Sequence, residues 1–99
     1  MIVVTGSFRL PPERLEEAIP AMKRVIAASV EERGCLTYAY SVDIVDPGLI
    51  RVTEAWADGT TLAAHFETPH MLAWKEEREA LGMTDRAITM HAVKHSTDL

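Results

Sequence analysis

The side chains of this 99-residue sequence with the chemistry to react or to hold a ligand are few. His65 and Phe66 close the stretch TTLAAHFE, beside the apolar face that carries Leu62. An imidazole titrates near neutral pH, so a histidine turned into a cavity there can move a proton. The competing reading is a half-buried histidine at a helix end, satisfied by a carbonyl. Glu54 and Trp56 lie two residues apart on one strand face. A carboxylate in an otherwise apolar row needs a partner or water. A salt bridge at a subunit interface, with Arg51 or Arg9, competes with a catalytic role. Trp56, Tyr38, Tyr40 and the methionines 22, 71, 83 and 90 have the shape to line an apolar pocket, and equally to fill a core.

The spacing of the histidines argues against a metal centre. His65 and His70 are five apart, with the helix-breaking pair Thr68-Pro69 between them. His91 and His95 share a strand face, but four residues of strand separate them by about 13 Å, too far for one ion with bonds near 2 Å. No P-loop, GxGxxG, GxSxG or HExxH motif is present, so no organic cofactor with a sequence fingerprint is supported. Cys35 is the single cysteine, which rules out an internal disulfide and a CxxC pair and suits a reducing compartment. The net charge of -5, with no basic run, speaks against nucleic acid, whose affinity rests on Lys and Arg at phosphates. No stretch approaches the ~20 apolar residues of a membrane span. The apolar start, Met1 to Gly6, is too short for a secretion signal and has no basic flank, so the cytoplasm is expected.

The elements that must position these residues follow from periodicity. Residues 2–9 are β-branched and stop at Pro11-Pro12, a strand. Over 12–33, Leu15, Ala18, Ile19, Met22, Val25, Ile26 and Val30 recur at helical steps, with acidic residues at the start and Gly34 as the stop. Pro20 predicts a bend, or a short first turn before the main helix. Residues 35–45 and 49–57 alternate as strands around the turn Asp46-Pro47-Gly48. In the first of these, Leu36, Tyr38, Tyr40, Val42 and Ile44 form one row. A short helix over 60–67 takes Asp58 or Thr60 as its cap. A second helix starts at Thr68 as cap and Pro69 as first helical residue, and runs to Gly82. Residues 86–95 form the last strand.

This order, βαββαβ, is an α+β, ferredoxin-like arrangement: one domain over residues 1–99, an antiparallel sheet with helices on one face. Both rows of the 49–57 strand carry apolar groups, and so do both rows of the first and last strands. Strands of that kind are covered on both sides. One chain supplies helices for one face, so a second copy is expected on the other, as a two-fold homodimer.

Gly34-Cys35-Leu36-x-Tyr38, the Asp46-Pro47 turn, Glu54-x-Trp56, Leu62-x-x-His65 and Thr68-x-His70, taken together over nearly the whole chain, resemble the antibiotic biosynthesis monooxygenase family, quinol monooxygenase-like members included. The resemblance implies a dimeric α/β-barrel with a pocket between helices and sheet. It implies oxidation of small phenolic, quinol or polyketide-like aromatic substrates by O₂, with no metal, flavin or haem. It also implies roles: His65 catalytic, as the proton-transfer group; Trp56 as the aromatic wall; Glu54, His70, Phe66 and Tyr38 at the substrate. Val52 and Leu62 stand where the anthrone-oxidising members carry asparagine and, nearby, tyrosine. Gly6-Ser7-Phe8 lacks the asparagine of the haem-degrading relatives. Other branches isomerise or degrade small, in one case phosphorylated, metabolites, or only bind ligands. A pocket with two or more basic groups, Arg51 or Arg78 among them, would favour a phosphorylated substrate, and a pocket of Trp56 and methionines a flat aromatic one.

Overall fold

The computed structural model describes residues 1–99. Four strands, β1 (Ile2–Arg9), β2 (Cys35–Val42), β3 (Leu49–Trp56) and β4 (Thr84–Ala92), form one antiparallel sheet in the order β2-β3-β1-β4. Three helices, α1 (Leu15–Val30), α2 (Gly59–His65) and α3 (Pro69–Ala80), complete the expected βαββαβ string. The strands alternate as a sheet covered on one face should. On β3, Ile50, Val52, Glu54 and Trp56 are buried, while Arg51 and Thr53 are exposed. On β1, Val4 and Phe8 point inward and Thr5 and Arg9 outward.

Local chemistry sets the element ends. The Asp58 carboxylate accepts the Thr61 N–H at 2.8 Å and caps α2; the Thr68 hydroxyl accepts from Met71 N–H and caps α3, with Pro69 in the first turn. The first helix is divided near its start: Pro12–Arg14 form a 3₁₀ turn, and α1 then runs through Pro20 to Val30. Its end falls three residues short of the expected 33. Gly34 follows at φ 82°, a conformation open to glycine without strain.

Two expectations for the hairpin are corrected. The first strand does not run to residue 45. The Asp43 carboxylate accepts the N–H groups of Val45 and Asp46, each at 2.9 Å, and this Asx turn ends pairing at Val42, leaving Ile44 and Val45 exposed. The inner row is not Leu36 to Ile44. The β2–β3 register shifts between Cys35 and Thr37, so Cys35 rather than Leu36 is paired to Trp56, and Leu36 is turned out to solvent. The last strand spans 84–92 instead of 86–95, which puts His91 within it and His95 beyond it.

The core has two parts. Phe8, Val25, Ile50, Val52 and Trp74 anchor one between α1, α3 and the sheet. Ile2, Val4, Tyr38, Trp56 and Leu62 form the other under α2. The candidate site lies where they meet.

Candidate functional site

Tyr38, Tyr40 and Glu54 project from the helix-facing side of β2 and β3, because Tyr38 pairs with Glu54 and Tyr40 with Val52. With Phe66, Met71 and Trp74 from the helical layer they line an internal cavity of about 30 Å³, closed towards β4 by Arg78, Arg86 and Ile88. That is about one water molecule's share of liquid volume. A groove of about 210 Å³ adjoins it, sharing Phe66, Met71, Arg78 and Arg86 and adding Leu72 and Lys75. These four shared side chains separate the inner space from the outer.

Inside, polar groups are arranged in pairs. The Tyr38 and Tyr40 hydroxyls are 2.8 Å apart. Trp56 Nε1–H donates to Glu54 Oε1 at 3.0 Å, which satisfies a carboxyl that is almost fully buried. Within the chain neither arginine considered for Glu54 reaches it: Arg9 and Arg51 lie on the opposite face and hold Asp46 and Asp43. His65 is completely buried, its ring 4.7 Å from that of Trp56 and 5.3 Å from that of Tyr38.

The structure brings together what spacing seemed to keep apart. His65 Nδ1 is 2.6 Å, and His70 Nε2 2.8 Å, from the same oxygen, Glu32 Oε2. The Thr68-Pro69 break achieves this. It ends α2 at His65 and redirects the chain so that both imidazoles face the end of the first helical segment. Thr68 Oγ1–H also donates to the His65 carbonyl at 2.7 Å. A carboxylate only accepts, so Nδ1 of His65 donates; in the neutral ring Nε2 is then the atom with the free lone pair. That Nε2 is buried and has no hydrogen-bond partner. Glu32 was not singled out from the sequence, where it reads as one of two exposed acids at a helix end.

Of the residues expected at a site, Glu54, Tyr38 and Phe66 thus line the cavity. Trp56 and His65 form the layer behind, and His70 is on the far side of His65 with Glu32. Tyr40, Trp74, Arg78 and Arg86 join the lining. Trp74 carried a signal, as an aromatic residue on the apolar face of its helix, but the two arginines belong to different elements and meet only in the fold.

Residues 1–77 match the antibiotic biosynthesis monooxygenase family. The chain belongs to that family. Among curated relatives, the Escherichia coli protein named "Probable quinol monooxygenase YgiN" is 28% identical, over 77% of this chain and 83% of its own length. The Synechocystis protein sll1783, described as uncharacterized, is 26% identical over 99% of this chain and 67% of its own. A solved Deinococcus radiodurans structure superposes with a TM-score of 0.93 at 23% identity, covering 100% of this chain and 98% of that one. PA3566 from Pseudomonas aeruginosa does so with a TM-score of 0.84 at 26% identity, over 95% and 94%. The four-stranded antiparallel sheet and its helices are therefore the fold of the antibiotic biosynthesis monooxygenases.

Burial raises the acidic groups of this monooxygenase-family pocket and lowers Arg78. It pushes the Tyr40 hydroxyl up to about 12 and raises Tyr38 further, so both remain neutral hydrogen-bonding groups near pH 7. It raises the Glu54 carboxyl as well, against the opposing pull of the Trp56 N–H, His65 and Arg86. The sign for stability follows. As pH climbs above the ordinary carboxylate range, the unfolded chain ionises this group first, while the folded protein keeps the proton longer. Folding is thus weakened until the pH passes the folded-state value. Glu54→Gln, which keeps an acceptor for Trp56, is expected to flatten that decline. Urea midpoints measured from pH 4 to 8 check it; parallel curves for the two proteins would remove Glu54 as the source.

Proposed function

We propose that the chain is a cofactor-independent monooxygenase that oxidises a quinol or related electron-rich phenol with O₂. The observation that carries this reading is a single carboxyl, Glu54, set in the wall of an otherwise largely apolar cavity and backed by a buried imidazole with a free Nε2. Family membership and the relative named as a quinol monooxygenase support it.

A quinol becomes a good electron donor once a hydroxyl proton is removed. In the proposed course Glu54 accepts that proton, with its basicity raised by burial, and Tyr38 Oη–H orients the ring oxygen. His65, oriented by Glu32, is a second buried acceptor behind Trp56. The phenolate passes one electron to O₂, and the two radicals combine as a ring hydroperoxide. Loss of water leaves a hydroxyquinone. One oxygen atom enters the product and one leaves as water, and all four electrons come from the substrate, so no metal, flavin or haem is required. The protein supplies orientation, proton removal and exclusion of bulk water. A ring does not fit in about 30 Å³, so binding entails outward movement of Phe66 and its neighbours into the adjoining groove.

The test is oxygen uptake by chelator-treated protein with benzoquinols and naphthoquinols. Saturable uptake unaffected by chelator is expected. Uptake no faster than the spontaneous rate across the panel would remove the oxygenase. Two arginines at the cavity favour, as a second reading, an isomerase or degrading enzyme for an anionic metabolite. That activity would proceed without O₂.

The working unit in this proposal is a homodimer. The outer sheet face presents Val3 and Ala55 half-buried among Thr5, Thr53 and Thr89, with no helix over it. Sedimentation is expected to give twice the chain mass, and a monomer at micromolar concentration would refute the pairing. No helix of the chain is long and apolar enough to cross a membrane.

A further inference from the structure

Arg78 on α3 and Arg86 on β4 stand at both the cavity and the groove outside it. Lys75, one turn before Arg78, adds a third cation to the groove. Among the other arginines, Arg9, Arg14, Arg24 and Arg51 each hold a carboxylate, while the exposed Arg33 does not. Arg78 and Arg86 hold none, and burial together with the nearby Arg86 disfavours the charge on Arg78. Arg78 is also partly buried, so its charge is incompletely compensated by water.

We infer that Arg78 and Arg86 form an oxyanion-binding mouth, and that the ligand is an aromatic ring bearing a carboxylate or phosphate, ring inward among Tyr40, Phe66 and Trp74 and anion outward between the guanidiniums. Planar guanidinium forks match both oxyanions with paired hydrogen bonds, and two of them around one anion remove their mutual repulsion. Glu54, at the cavity wall, disfavours the reverse orientation and leaves the ring hydroxyl as the group that meets it. Lys75 extends the field along the groove that leads in.

This inference rests on the cavity being the ligand site, as proposed above, but not on any turnover. The experiment is binding without oxygen, read by tryptophan fluorescence, with three probes: hydroquinone, gentisate (the same quinol carrying a carboxylate) and phenyl phosphate. Gentisate is expected to bind at least tenfold more tightly than hydroquinone and to lose that advantage in 1 M salt. Phenyl phosphate distinguishes phosphate from carboxylate as the preferred anion. Arg86→Gln, an exposed strand position, and Arg78→Gln should each lower the affinity for gentisate at least tenfold and that for hydroquinone by less than about threefold. Equal affinities for gentisate and hydroquinone, or an equal loss for both in the variants, would overturn the inference. Arginine-dependent gentisate binding without oxygen uptake would uphold it while refuting the oxygenase.

Discussion

His65→Asn is expected to lower the turnover number for quinol oxidation by about a hundredfold, because the proton that Glu54 takes from the quinol then has no second acceptor behind it. Asparagine is chosen because its amide N–H can replace Nδ1–H towards Glu32 Oε2, the 2.6 Å contact that fixes the ring. What it lacks is the lone pair now held by the unpartnered Nε2. His65 is behind the cavity wall and not among its lining residues, so anaerobic affinity for the quinol should change by less than about threefold while kcat falls. A loss in affinity with kcat unchanged would assign His65 to the shape of the pocket. Turnover within threefold of the original would assign it to the Glu32 and His70 network alone. Glu32→Gln offers the converse: the imidazole remains but its orienting acceptor is weakened. If the two residues act as a unit, the double variant should be little slower than His65→Asn.

The largest loss of stability is expected at Trp56. Its side chain has no exposed surface and joins Ile2, Val4, Tyr38 and Leu62 in the core under α2. Truncation of a buried tryptophan to alanine costs about 3–5 kcal/mol. Here it also removes the N–H that satisfies Glu54 Oε1, at about 1–3 kcal/mol for an orphaned buried acceptor. Against the ~5–15 kcal/mol that holds a typical domain together, Trp56→Ala should leave little folded protein at 37 °C. Trp56→Phe separates the two contributions, since it keeps most of the ring and loses the donor. Denaturant midpoints of the three proteins, together with Glu54→Gln, close the cycle. If Trp56→Phe proved as stable as the parent, the hydrogen bond would have no net worth, and the carboxyl would have found water.

The parts of this molecule legible in its sequence are those whose cause is local. Thr68 and Pro69 announce a helix start because a cap and a first-turn proline are chemistry among neighbours, and Asp58 announces another. The alternation on β3 reports its two faces because each residue is judged against the next. The βαββαβ order, and with it the family fold, follows from such signals. The hairpin end was overrun because Ile44 and Val45 look like strand, and only the position of the Asp43 carboxylate tells otherwise. The register shift at Cys35 leaves no mark in a period of two. Site residues divide in the same way. Glu54 and Trp56 were conspicuous as a carboxyl and an indole on one apolar row, and they do bond to each other. Glu32 meets His65 and His70 across 33 and 38 residues of chain, and Arg78 joins Arg86 across a helix–strand connection; pairings of that range are made by packing and have no local signature.

The corner at Thr68 bears on how such a site can change over generations. One hydroxyl donates to the carbonyl of His65, accepts the amide of Met71, and lies 3.2 Å from His70 Nε2. The end of one helix, the start of the next and the His70 imidazole are thus tied to a single atom outside the cavity lining. Serine preserves that atom. Valine, the same size, abolishes all three ties at once. Lineages are therefore free to remodel the cavity lining one residue at a time and so acquire new substrates, while this corner admits almost no drift.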